Sequence, residues 1–78
     1  MKTRITIYLN DLNKIKSFTK AVGTFACDID LIKGRYVIDS KSAIGIFTID
    51  LSSPVDVLIH SEDEEEIRRF NEIMEGFR

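Results

Sequence analysis

With 78 residues, 44% hydrophobic and 31% charged, the chain is long enough for one modest core and too apolar for disorder. A net charge of −2 leaves no electrostatic footprint for nucleic acid and no basic patch for a membrane surface. A single cysteine, Cys27, excludes an internal disulfide, and nothing around it pairs as a metal ligand, so it reads as a small buried hydrophobe and neither metal nor cofactor is expected.

In chain order, Met1-Lys2-Thr3-Arg4 leads into an alternating segment where a signal peptide would have an apolar stretch. No apolar run is long enough to span a bilayer, and the expected location is the cytoplasm. Thr3 to Leu9 alternates polar and apolar residues, with Ile5, Ile7 and Leu9 on one face, which predicts a half-buried strand. Asn10 or Asp11 can cap the helix that follows, whose apolar spacing runs Leu12, Ile15, Phe18 and Val22, with Gly23 as its stop. Asp28–Lys33 and Tyr36–Asp39 read as two strands of a hairpin reversing at Lys33-Gly34-Arg35.

The segment Ser40 to Leu51 organises the middle of the chain. Ser40 or Ser42 can cap a short helix running from Ser42 to Leu51. Its apolar residues Ala43, Ile44, Phe47 and Leu51 follow helical spacing, and Ile46 and Ile49 widen the stripe round most of the cylinder. So small a domain has little room for a second core layer, so one side of this helix is expected to meet a partner.

Ser52-Ser53-Pro54 is a turn, and Val55–His60 is a fourth strand, with His60 an exposed turn residue at its end. Ser61 with Glu64 forms a capping box for the last helix, and Glu62 to Glu66 complement its dipole. Ile67, Phe70, Met74 and Phe77 form its buried stripe, with Arg68, Arg69 and Glu72 outward.

Residues 1–78 therefore read as one α+β domain ordered β-α-β-β-α-β-α. Two folds fit that order. One is a four-stranded antiparallel sheet covered on one face by three helices. The other is the ferredoxin-like arrangement of ACT-type small-molecule sensors, which needs a long middle helix.

Gly34-Arg35-Tyr36-Val37, Lys41-Ser42-Ala43-Ile44-Gly45-Ile46 and Val55-Asp56-Val57 resemble the HPr phosphocarrier proteins of the bacterial sugar phosphotransferase system. Members of that family read G-K-x-V, K-S-I-M-G-V and D-V-T-I at these places, and Asp28-Ile29-Asp30-Leu31 matches their second strand. The resemblance spans nearly the whole chain, with one residue more between Gly34 and Ser42 than in the family pattern. It implies an open-faced sandwich with strand order 1-4-2-3. It also implies a phosphorylatable histidine in G-x-H-A-R-P, yet Asp11, Asn13 and Lys14 fall on the histidine, arginine and proline of that motif. None of the three chemical roles survives, because the imidazole carries the phosphoryl group and the arginine stabilises it.

The second family site does match: Ser42 falls on the serine that a dedicated kinase phosphorylates in Gram-positive members, and it serves equally as a helix cap. Lys41, Ala43, Ile44 and Phe47 fall on the surface through which the family meets its kinase and partner enzymes. The resemblance thus implies a non-enzymatic regulatory module that binds a protein, such as a kinase or metabolic regulator, through the Ser42–Leu51 helix. A phosphocarrier using Asp11 or another residue as a non-histidine acceptor and an ACT-type sensor are the competing readings.

Overall fold

Arg4 and Thr6 alternate with the buried Ile5 and Ile7, and the same two-residue period recurs in two further strands. The structure, a computed structural model, describes residues 2–78, although the side chain of Ala43 lies outside the described part. In order it holds β1 (Arg4–Ile7), α1 (Leu12–Val22), β2 (Asp28–Lys33), β3 (Tyr36–Asp39), α2 (Ala43–Ile46), β4 (Val55–His60) and α3 (Glu64–Glu75). The strands form one antiparallel sheet in the order β1-β4-β2-β3.

Register places Ile5, Val57, Leu31 and Ile38 in one row across the sheet, facing the helices. Ile7, Ile29, Val55 and Ile59 lie on the same side. Ile15, Phe18 and Val22 of α1 and Phe70 and Met74 of α3 complete the core, joined by Phe25, Ile46 and Phe77. Phe18 and Phe77 meet edge to face, with centroids 5.8 Å apart and planes at 88°. On the opposite, open face, Arg4 and Thr6 both donate to Asp56, whose carboxyl is held below the usual carboxylate range by the Thr6 hydroxyl above all, with burial opposing and Arg4 adding to the lowering. None of the helices among the described residues is long and apolar enough to cross a membrane.

Several local expectations are corrected. The first strand is shorter than Thr3 to Leu9, because beyond Ile7 the chain has no register with β4, although Leu9 is still fully buried. Leu12 opens α1 on its exposed side, so the apolar stripe begins at Ile15. α1 ends at Gly23 with ordinary right-handed geometry. It is closed by Thr24, whose hydroxyl donates to the Ala21 carbonyl at 2.7 Å.

α3 is capped by Asp63, which accepts from the Glu65 N–H at 2.9 Å. Ser61 is engaged one step earlier, accepting from the Asp63 N–H and donating to Glu66. Arg69 does not point outward: it lies 3.9 Å from the Phe25 ring centroid and donates to both the hydroxyl and carbonyl of Thr24. Cys27 is half-buried against the core rather than inside it. Its thiol is pushed up by burial and by the neighbouring Glu66 carboxylate.

The β2–β3 reversal is the one place where glycine is demanded by backbone conformation. Lys33 pairs with Tyr36, leaving a two-residue loop in which Gly34 has φ +59° and Arg35 a negative φ, the pattern of a type II′ turn.

Candidate functional site

The segment after β3 is built around a capped single turn. Ser42 has extended backbone angles, and its Oγ accepts from the Gly45 N–H at 3.2 Å. The Ser42 carbonyl accepts from Ile46, and the Phe47 and Thr48 N–H groups then tighten onto Ile44 and Gly45 three residues back. The helix therefore spans Ala43–Ile46 and does not continue from Ser42 to Leu51.

Its early end has a local cause in competing side chains. The Thr48 hydroxyl takes the Gly45 carbonyl at 2.6 Å, and Asp50 accepts from both the N–H and hydroxyl of Ser52. Those Ser52 bonds also hold the Asp50 carboxyl below its ordinary pKa.

The turn lies close against β3. A Cβ built on Gly45 would stand 2.6 Å from Ile38 Cγ2, so only a glycine lets the backbone approach the strand this closely. Ile46 is driven wholly into the core, while Ile49 and Leu51 pack at its edge. Ile44 is left 82% exposed and Phe47 61% exposed. The predicted stripe of Ala43, Ile44, Phe47 and Leu51 thus divides the other way: the residue that anchors α2 is Ile46. A continuous helix would have turned Phe47 with Ile44 and Leu51, but the chain leaves helical geometry before Leu51.

Around this turn, Lys41 sends its Nζ to the Phe25 carbonyl at 2.7 Å, beside the Arg69 stack. The loop after α1, the entry to α2 and the first half of α3 are tied together there. The sequence signal for it was slight, since Phe25 and Arg69 are 44 positions apart (69 − 25) with no spacing rule to link them. Ser40, the other serine considered as a cap, is fully buried, and its hydroxyl has no hydrogen-bond partner among the described residues.

The N-terminus of α1 lies apart from these residues in the chain. Asp11 caps α1 by accepting from the Lys14 N–H at 2.8 Å, and Lys14 Nζ reaches Asn10 at 3.3 Å. Asp11, Asn13 and Lys14 line a shallow depression of about 350 Å³ with Ser17, Gly76 and Phe77. The sole histidine is elsewhere. His60 ends β4 on the open face, where its Nε2 lies 2.7 Å from Asp30 Oδ2, so it is a paired strand residue and not a bare turn position.

Compared with solved structures, the chain is similar to HPr-C-His from Thermoanaerobacter tengcongensis, with a TM-score of 0.74 and 24% identity over 97% of this chain and 93% of that one. It is also similar to the phosphocarrier protein HPr from Bacillus anthracis str. Ames, with a TM-score of 0.70 and 17% identity over 99% and 100%. The chain has the HPr fold. No protein-family model and no curated protein matches the sequence. Within the HPr fold, strand order and helix placement follow the resemblance seen in the sequence, and the one-turn α2 removes the ferredoxin-like alternative, which requires a long middle helix.

Proposed function

We propose that this chain is a single-domain, cytoplasmic, protein-binding module on the HPr fold that carries no phosphohistidine. It docks a kinase or metabolic regulator through Lys41, Ala43, Ile44 and Phe47, and phosphorylation of Ser42 regulates the contact. The observation that carries this reading is the exposure of Ile44 and Phe47, three residues apart on a turn anchored by the buried Ile46. Two large apolar side chains displayed beside Lys41, Ser42 and Thr48 have the anatomy of a small docking patch, apolar at the centre and polar at the rim.

The α1 N-terminus supports the loss of phosphoryl carriage. The Asp11 carboxylate is engaged as a cap, and the only imidazole is on the other side of the sheet, paired with Asp30. Ser42 is exposed, and a phosphate there would replace a neutral acceptor with a group of about −2 charge beside the apolar patch, changing which partners bind.

Incubation with phosphoenolpyruvate and the enzyme that charges HPr proteins is expected to leave the chain unlabelled. Acid-labile phosphoprotein would overturn the reading, and its loss in Asp11→Asn or His60→Gln would locate the acceptor. With a purified HPr kinase, labelling is expected at Ser42 and should vanish in Ser42→Ala. Labelling that survives that change would refute the serine assignment. Ile44→Ser and Phe47→Ser are expected to weaken kinase binding without unfolding the protein.

A further inference from the structure

Three segments meet at Phe25, whose ring is buried where the loop after α1 turns into the core. From α3, Arg69 lays its guanidinium on that ring and donates to the Thr24 hydroxyl and carbonyl at 2.8 and 3.2 Å. From the entry to α2, Lys41 donates its Nζ to the Phe25 carbonyl at 2.7 Å, the length of a charge-assisted hydrogen bond. Lys41 as a residue is exposed, which alone would make it a rim charge, but its ammonium is turned to this partly buried carbonyl. No other group among the described residues donates to the Phe25 carbonyl. Releasing Lys41 therefore strips that carbonyl of its protein partner.

α2 depends on such ties. A helix of four residues is too short to hold itself, so its orientation comes from what it is fastened to. Asp39 fastens its entry from the β3 side, the carboxylate accepting from the Lys41 N–H at 2.9 Å and the carbonyl from the Ser42 N–H at 3.0 Å. Ile46 fastens it from beneath, in the core. The Lys41 ammonium supplies the remaining tie, to the loop after α1.

Building on the docking proposed for α2, we infer that Lys41 is a positioning residue of that patch and not a charge that meets the partner. Its ammonium sets the direction in which Ile44 and Phe47 are displayed. Arg69 is a second positioning residue, acting through the Phe25 ring and Thr24, so the patch on α2 is coupled to α3.

NMR of the full chain tests the tie directly: a scalar coupling across the hydrogen bond is expected between the Lys41 Nζ and the Phe25 carbonyl carbon. Lys41→Met keeps the apolar stem and removes the donor. It should speed amide exchange at Ile46 and Phe47, which close α2, by about tenfold, while Ile5 and Val57 in the sheet exchange as in the wild type. Arg69→Met should give the same local pattern more weakly, and Lys41→Arg, which can still donate, should stay nearer the wild type. Binding to a purified HPr kinase at low and high salt separates positioning from contact. Positioning predicts that Lys41→Met binds about tenfold more weakly at both, through faster dissociation. A rim charge predicts slower association and a loss that high salt removes. An uncoupled Lys41 ammonium, unchanged exchange at Ile46 and Phe47, exchange raised equally throughout the chain, or a binding loss screened by salt would each overturn the inference. Should Lys41→Met fail to fold, the coupling in the wild type and the exchange pattern of Arg69→Met still decide. A wild-type chain that binds no kinase would refute the docking reading alone, and the coupling and the exchange would then decide the tie by themselves.

Discussion

Gly45→Ala puts the packing of α2 to a test in which the sign of the effect decides. Helix propensity alone would make the change stabilising by about 0.5–1 kcal/mol, because Gly45 lies inside α2 with no positive φ. The structure opposes this, since the new Cβ would stand 2.6 Å from Ile38 Cγ2. That methyl is attached directly to a branched Cβ whose rotamer is stiff, and Ile38 is held in register opposite Leu31, so it cannot swing aside cheaply. α2 must lift from β3, and overpacking of this kind costs about 1–3 kcal/mol. The net expectation is destabilisation centred on about 1 kcal/mol, with bounds of about 0 and 2.5 kcal/mol after the propensity gain is subtracted. Urea unfolding of Gly45→Ala, Ile38→Ala and the double variant measures it. Ile38→Ala removes the clashing methyl, so the double variant should be more stable than the sum of the single losses predicts. A stabilised Gly45→Ala, or strictly additive losses, would refute the close-approach account of this glycine.

Ile46→Ala should cost about 2–5 kcal/mol, while Ile44→Ser and Phe47→Ser should each stay within about 0.5 kcal/mol, measured by the same unfolding curves. Ser40→Ala removes a fully buried hydroxyl with no hydrogen-bond partner among the described residues and is expected to raise stability by about 1 kcal/mol, read from the denaturation midpoint. Thr6→Val deletes the strongest influence holding the Asp56 carboxyl low, so an NMR titration should show its pKa rising toward 3.8. Because that pKa is lowered on folding, Asp56 adds stability above the unfolded carboxylate pKa, and this is lost as pH falls through the folded value. Thr6→Val should therefore shrink the acid-side loss of stability relative to wild type.

The sequence alone determined the strands and the two long helices, because each rests on a period that local chemistry enforces. Alternation in Asp28–Lys33 and Val55–His60 and helical spacing in Ile15, Phe18 and Val22 carry their own signal, and element order with the Lys41–Ile46 motif led to the HPr fold. Caps were less legible: Ser61 and Asp63 offer the same chemistry two residues apart, and only the packed direction of α3 chooses between them. The middle segment was least legible. Six apolar residues in nine fit several helical faces, and periodicity cannot say which of Ile44, Ile46 and Phe47 points inward. That was decided by tertiary structure, through the contact of Gly45 with Ile38 and the depth at which Ile46 enters the core. The same holds for Arg69 on Phe25, Asp30 beside His60 and Lys41 on the Phe25 carbonyl, since each depends on residues far apart in sequence being brought together by the sheet and the layer above it.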